Sequence, residues 1–304
     1  VAGSGPVVVL AGGTGGAKLA RGMLDLIGDD LVVVANTGDD IEIYGGHVSP
    51  DPDLVTYWLA DRIDERGWGL ADDTFAVMDG LRELGVDVWF NLGDRDLAVC
   101  LQRAERLAAR TRLTECLAEL GAALGLGARV LPMSDDPVRT QVLAHGGWRP
   151  LQEFLIRDRG AGPVEGVELE GAPDAEATPE VLEALAAARA IVIGPSNPVI
   201  SIGPILAVPR LREALHDAPA PVVAVSPLVG GEVLKGPTEE FMRWAGRTLD
   251  AGGIATAYDG VIDGLVADER TDRVPVLETD VLMADAVGRR RVAEAALGFA
   301  EALA

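Results

Sequence analysis

One stretch near the amino terminus restricts the fold more than any other. Val7 to Ala11 is an unbroken apolar run of strand length that stops at Gly12-Gly13-Thr14-Gly15-Gly16. Beyond the glycines, Leu19, Met23, Leu24 and Ile27 fall on one helical face. Strand, glycine loop and helix in that order open a βαβ unit, and a second buried run, Leu31 to Ala35, completes it. Strands that are apolar throughout belong in a parallel sheet with helices on both faces. The chain is therefore expected to be α/β, with a Rossmann-like, mostly parallel sheet.

Downstream the pattern turns helical. Leu54 to Ile63, Thr74 to Leu84, Leu97 to Ala109 and Leu113 to Leu124 read as helices, interrupted by a strand-like Val86 to Asn91. Residues 54–126 are thus expected to form a helical insertion, a lid over the sheet end, within a single 1–304 domain. Ala128 to Leu131 returns to strand character. Short strands at Thr140 to Ala144, Gln152 to Arg157 and Val164 to Leu169 predict a small β excursion. Pro179 to Arg189 reads as a helix with proline in its first turn. Strands Ala190 to Ile193 and Val222 to Val225 resume the α/β alternation, and a last helix is expected from about Gly288 to Leu303.

The formal charge of −22 repels nucleic-acid phosphates and anionic membrane surfaces, so neither is an expected partner. Acidic residues outnumber basic ones 48 to 26 and lysine occurs only at Lys18 and Lys235, a balance expected of a salt-loving host, in which ionic strength screens self-repulsion, although a GC-rich genome also exchanges lysine for arginine. The apolar runs fall far short of the roughly 20 residues that cross a bilayer. The amino-terminal Val-Ala-Gly-Ser-Gly-Pro has neither a basic region nor a long apolar one. Cys100 and Cys116 share no metal-binding spacing, which suits a reducing compartment, so a cytoplasmic location is expected. His47, His145 and His216 also lack such spacing and read as ordinary polar residues.

Gly12, Gly13, Thr14, Gly15 and Gly16 stand between a buried strand and a helix amino terminus, where backbone NH groups and the helix dipole favour a phosphate. The loop matches neither a Walker sequence nor the dinucleotide fingerprint, because Ala17-Lys18-Leu19 follows Gly16 and the second strand ends in Asn36. A tight turn for helix-strand packing is the competing reading. Lys18 is a candidate phosphate partner, or else a solvated helix residue. Asp39, Asp40, Asp51 and Asp53 follow the second strand, where carboxylates can hold a divalent metal or activate a hydroxyl. Asp53 is also a candidate helix cap. In Leu92-Gly93-Asp94-Arg95-Asp96, Asp96 is a natural N-cap and Arg95 can pair two phosphate oxygens or a polar ring edge. Ser196 and Asn197, framed by prolines after a strand, can fix a base edge or ribose, and Ser134-Asp135-Asp136 form another polar cluster.

With these segments in hand the chain resembles the 2-phospho-L-lactate transferase family of coenzyme F-420 biosynthesis. The resemblance runs through Gly12 to Lys18, Asn36-Thr37-Gly38-Asp39-Asp40, Pro50-Asp51-Pro52-Asp53, Trp68-Gly69 with Asp73-Thr74-Phe75, Leu92 to Asp96, Leu131 to Asp136 and Gly194 to Ile205. It departs at Pro52, where the family more usually has leucine. The resemblance implies a guanosine diphosphate donor linked to lactate or an enolpyruvyl group. The acceptor is the deazaflavin Fo (7,8-didemethyl-8-hydroxy-5-deazariboflavin), whose ribityl hydroxyl attacks to release GMP. It implies Mg²⁺ on Asp39, Asp40 and Asp51, Asp53 orienting or deprotonating the hydroxyl, and Arg95 on Fo or the moving phosphoryl group. Gly12 to Gly16, with Lys18, would cradle the diphosphate. Ser196 and Asn197 would hold guanosine, and Trp68 and Phe75 would wall the deazaflavin. Homodimerisation is left open. The alternative is a sugar-nucleotide-binding regulator of the same superfamily, against which Gly93-Asp94-Arg95-Asp96 argues.

Overall fold

In the computed structural model, which describes residues 5–304, β1 (Val7–Ala11), α1 (Gly13–Ile27) and β2 (Leu31–Ala35) form the expected βαβ unit. The first four residues of the segment read for a leader lie outside the described residues. A hairpin of β3 (Ile41–Ile43) and β4 (Gly46–Val48) follows β2. Four helices come next: α2 (Pro50–Leu59), α3 (Ala76–Glu83), α4 (Asp94–Ala108) and α5 (Leu113–Ala123). β5 (Arg129–Pro132) then rejoins the main sheet beside β2. The β excursion consists of β6 (Arg139–Ala144), β7 (Gly147–Pro150), α6 (Leu151–Ile156) and β8 (Gly166–Glu170), its strands ordered β7-β6-β8 and antiparallel.

The second half contains α7 (Pro179–Ala187), β9 (Ala190–Ile193), α8 (Gly203–Ala207), α9 (Pro209–His216) and β10 (Val222–Val225). After it come a short hairpin of β11 (Leu228–Val229) and β12 (Glu232–Val233), then α10 (Thr238–Trp244), α11 (Ala251–Ala257), β13 (Gly264–Ala267), β14 (Val276–Glu278) and α12 (Ala286–Leu303). The main sheet has seven strands in the order β14-β13-β10-β9-β1-β2-β5, every pair parallel.

Strand alternation sends the two sets of side chains to opposite faces. Val8, Leu10, Val34 and Ile193 pack with Val181 of α7, Leu211 of α9 and Ile254 of α11. Val7, Val9, Val33 and Val192 pack with Leu19 and Met23 of α1, Val55 of α2 and Val292 of α12. Each such burial is worth about 1.5–3 kcal/mol, which makes the double covering the main support of the sheet. The chain runs outward from β1 through β2 to β5, then resumes on the other side at β9. That reversal opens a crevice between β1 and β9 at their carboxyl ends, where ligands of open α/β sheets bind.

Two expected strands are not strands. Gln152 to Arg157 lies in α6 and the residue just after it, because Leu151 and Phe154 are buried at helical rather than alternating spacing. Val86 to Asn91 joins no sheet among the described residues. Its Val88 and Phe90 instead pack on a small cluster with Val48, Met78 and Leu92. Two helix starts also move. α2 begins at Pro50, so Asp51 and Asp53 sit in its first turn and Asp53 is not its cap. α4 begins at Asp94, so Asp96 is its third residue rather than its N-cap.

Candidate functional site

The glycine loop closes the β1 side of the crevice and the loop after β9 closes the other. The Gly12 amide donates weakly to Ser196 Oγ at 3.4 Å. A methyl group on Gly15 would run into the Pro195 carbonyl, and one on Gly194 would meet Gly16 Cα at 2.9 Å. These glycines therefore let the two loops touch, while the first-turn amides of α1 remain without intrahelical acceptors. One of them is taken: Gly13 N donates to Asp51 Oδ1 at 2.6 Å. Lys18 Nζ donates to the Met283 carbonyl at 3.3 Å and lies 6.0 Å from the Trp58 ring centroid. Asn197 accepts from Val199 N at 2.8 Å and Ile200 N at 3.2 Å, and its amide reaches Thr238 Oγ1 at 3.4 Å. The side chain of Asn197 thus shapes its own loop.

Asn36 is the hub of the acidic side, although its place in the sequence marked it only as the residue standing where a ribose-binding acid would. Its Nδ2 donates to Asp51 Oδ2 at 2.9 Å and to Asp39 Oδ1 at 3.1 Å, and its Oδ1 accepts from Gly38 N at 2.7 Å. Gln152 Nε2 supports Asp39 Oδ2 at 2.8 Å. Burial pushes the Asp51 carboxyl up to about 6, the Asn36 and Gly13 hydrogen bonds opposing the rise. Asp39 is raised well above the carboxylate range by burial and then by repulsion from Asp51 and Asp40. Asp40 faces other partners: Ser49 Oγ donates to it at 2.8 Å, and His47 Nε2 lies at 3.0 Å. The second His47 nitrogen is 3.2 Å from Glu42, so this histidine bridges two carboxylates instead of being an ordinary polar residue. The signal was the hairpin register that sets Glu42 opposite His47.

Asp53 is placed differently from its expected role. Both its oxygens are engaged by Arg103, a guanidinium only 1% exposed that also donates to the His47 carbonyl at 3.0 Å. A carboxylate locked in a buried bidentate pair is poorly placed to take a proton from a hydroxyl. Arg103, from the middle of α4, had no motif to reveal it.

The donor chemistry of Asp39, Asp40 and Asp51 fits a hard cation, since three buried carboxylates carry mutual repulsion that a divalent ion relieves. They do not converge tightly, however. Among the described residues, the set whose ligand atoms lie within 4.8 Å of one another is Asp53, Asp96 and Cys100. Arg103 already neutralises Asp53, and burial pushes the Cys100 thiol strongly up, so that set does not suit Mg²⁺.

The Gly93-Asp94-Arg95-Asp96 motif is largely a clasp. Asp73 accepts from the amides of Arg95 at 2.9 Å and Asp96 at 3.1 Å, capping α4 from a distant loop. Asp94 reciprocates by accepting from Thr74 Oγ1 at 2.5 Å, Ala76 N at 3.1 Å and Val77 N at 2.9 Å, which caps α3. A side chain on Gly93 would collide with the Asp73 carboxylate. Asp96 Oδ1 accepts from Tyr57 at 2.9 Å. Arg95 alone projects to solvent, with no ion pair among the described residues. Trp68 is 55% exposed beneath the Arg66 guanidinium, which lies 5.6 Å from Phe75 as well; neither aromatic lines either of the cavities described next.

Two cavities flank the acidic cluster. The larger, about 530 Å³, lies between the β3–β4 hairpin, α4, the start of α5 and the loop after β5. The smaller, about 170 Å³, is lined by Asp39 and Gln152. Asp40, Glu42 and Arg139 line both.

Residues 7–289 match the sequence profile of the family described as 2-phospho-L-lactate transferase CofD. The chain belongs to that family. A protein named phosphoenolpyruvate transferase from Kitasatospora aureofaciens is 41% identical, covering 97% of this chain and 98% of that one. A 2-phospho-L-lactate transferase from Methanosarcina mazei is 39% identical over 87% of each chain. The family is thus one of transferases, and its members under these two names come from bacteria and methanogens. That spread lends no support to the salt-loving source expected from charge. A crystal structure of a UPF0052-family protein from Bacillus halodurans superposes with a TM-score of 0.63 at 16% identity, over 97% of this chain and 99% of that one, and shares the fold. No helix among the described residues is long and apolar enough to cross a membrane.

Proposed function

We propose that this CofD-family chain moves a phosphoryl-linked three-carbon acid, 2-phospho-L-lactate or its enolpyruvyl counterpart, from a guanosine diphosphate donor to the terminal ribityl hydroxyl of Fo. The reaction belongs to coenzyme F-420 biosynthesis. One observation supports this reading above the others: Asp51 bonds the glycine loop through Gly13 and the acidic cluster through Asn36. A diphosphate received at the amino terminus of α1 would therefore lie beside the carboxylates.

In this reading Thr14 and Gly15 offer amides to the diphosphate, and the Ser196–Asn197 loop bounds the guanosine. The hydroxyl oxygen bonds to the phosphorus nearer the acid, the bond from that phosphorus to the GMP oxygen breaks, and GMP departs with the electron pair. Asp53 is committed to Arg103, so the hydroxyl proton passes to Asp40, whose carboxylate borders the larger cavity. Asp39 and Asp51 would hold Mg²⁺, which when bound supplies charge neutralisation on the diphosphate. Of residues 54–126, the part beyond α2 acts as a lid, with Arg95 reaching the acceptor or the moving phosphoryl group, whereas Val55 and Leu59 of α2 belong to the fixed layer on the main sheet. The test is to offer the purified chain Fo with each guanylated acid separately and to follow GMP release and product mass. The expected result is GMP together with a product heavier than Fo by the phospho-acid group. Absence of GMP with either donor would overturn the transferase reading in favour of a binding protein.

A further inference from the structure

We infer, resting on the transferase reading for the part Asp40 plays, that Arg103 is a positioning residue. Its buried guanidinium clamps residues 47–53 and through that segment sets the two hydrogen bonds that aim Asp40.

Both oxygens of Asp40 are held from one short stretch of chain. Ser49 Oγ donates to Oδ1 at 2.8 Å, and His47 Nε2 lies 3.0 Å from Oδ2. The hairpin that carries His47 is weak support, since β3 and β4 have three residues each and an isolated two-stranded hairpin is marginal in water. Arg103 supplies the missing hold. Its Nη1 donates to the His47 carbonyl and to Asp53 Oδ2, both at 3.0 Å, while Nη2 donates to Asp53 Oδ1. These two acceptors bracket Ser49, and the Asp53 amide donates to the Ser49 carbonyl at 3.1 Å. The segment that presents the His47 ring and the Ser49 hydroxyl is thereby fixed at both ends.

The surroundings favour a role beyond packing. α2 is seated on the main sheet through Val55 and Leu59, whereas α4 packs through Leu97 and Cys100 on the hairpin cluster. Arg103 thus ties the hairpin to the fixed layer. α4 comes close enough because β4 begins with glycine: a methyl group on Gly46 would meet Cys100 Cβ, one turn before Arg103, at 2.9 Å. A buried ion pair is a costly way to join two elements, and an apolar pair of similar volume often stabilises as well. What an apolar pair lacks is a donor for the His47 carbonyl. A lysine would also fall short, because its ammonium is a point charge without the fork that reaches two acceptors.

The experiment uses the full chain with Fo and the guanylated acids, and compares Arg103→Lys, Asp40→Asn and the two together. Arg103→Lys keeps a positive charge against Asp53 and gives up the bridge to His47. It is expected to lower kcat about thirtyfold, less than the roughly hundredfold that a misplacement of about 1 Å can cost, with both KM values within about threefold of the parent. In the Asp40→Asn background the same change is expected to cost less than about twofold, because no proton acceptor is left to misplace. Hydrogen exchange over residues 46–53 needs no substrate and should quicken about tenfold in Arg103→Lys. Should Arg103→Lys fail to fold, Ser49→Ala takes its place in the cycle: it cuts the link at Asp40 without touching the buried pair, and about a fivefold loss of kcat is expected. A loss of similar size with and without Asp40, a kcat or an exchange rate equal to the parent's, or parent turnover in Asp40→Asn would overturn the assignment. A parent chain that releases no GMP, while exchange still quickens in Arg103→Lys, would sink the transferase reading and leave the clamp standing.

Discussion

The two sides of the sheet crest handle polar chemistry in opposite ways. Over β1 and β9 the molecule offers backbone: small residues pressed against Pro195 and Ala11, helix amides, and few charged side chains. Over β2 it offers carboxylates held by amides, a histidine and a buried arginine. The backbone side cannot change its charge and is tuned for an anion. The carboxylate side can gain or lose protons and meets whatever approaches with negative charge. A transferase that must keep an anionic donor apart from a phosphate-free acceptor gains from this division, and among the described residues Asp51 is the one acid bonded to the glycine loop. Breaking Asp51 should therefore uncouple the two sides.

Asp51→Asn is the largest expected effect. The amide keeps the size of the side chain and can still accept one hydrogen bond, but it removes the charge that borders the α1 amino terminus. Turnover is expected to fall by about a thousandfold, in the range seen when a group that interacts with developing charge is lost. Donor binding measured by calorimetry should change by less than tenfold. Asp53→Asn should behave differently, lowering the melting temperature first, because it leaves the Arg103 guanidinium buried without its counter-charge. If Asp53→Asn kept its stability and lost turnover while Asp51→Asn kept turnover, the roles given to the two acids would have to be exchanged.

The backbone side is tested by Gly15→Ala. The added methyl meets the Pro195 carbonyl, a backbone group that can yield only by moving the loop after β9. A loss of about 2–3 kcal/mol of stability is expected from such overpacking, with donor affinity falling and Fo affinity unaltered. Equal losses for donor and acceptor would blur the contrast between the two sides.

These contrasts explain which features were open to reading from residues alone. The sheet and the glycine loop were, because a strand buried on both faces and a helix amino terminus each leave a local, periodic trace. The acids Asp39, Asp40 and Asp51 were visible because they cluster after one strand. The partners that decide what each acid does were not: Arg103 comes from α4, Gln152 from α6 and His47 from across a hairpin. The clasp between Asp73 and Asp94 was hidden for the same reason, since each caps a helix that starts far away in sequence. Val86 to Asn91 misled because its alternation satisfies a small cluster under the hairpin rather than a sheet.

The smallest expected effect probes the far edge of the carboxylate side. Asp96 is pushed up to about 7 from an ordinary value of 3.8, first by burial and then by the Asp53 charge. Between about pH 4 and pH 7 the folded chain then holds a proton that the unfolded chain has released. Stability falls as pH rises through that window, and the whole cost of ionising Asp96 is present above pH 7. At roughly 1.4 kcal/mol per pKa unit the cost is bounded near 4 kcal/mol. An asparagine there carries no charge and still accepts from Tyr57, but its own amide must also be buried, so a net gain of about 1–2 kcal/mol at pH 8 is expected. Thermal melts of Asp96→Asn and the parent chain should therefore differ by a few degrees at pH 8 and coincide near pH 4. A difference of equal size at both pH values would show that packing, not charge, sets the cost. It would also remove Asp96 from the set of acids that distinguishes this side of the crest from the other.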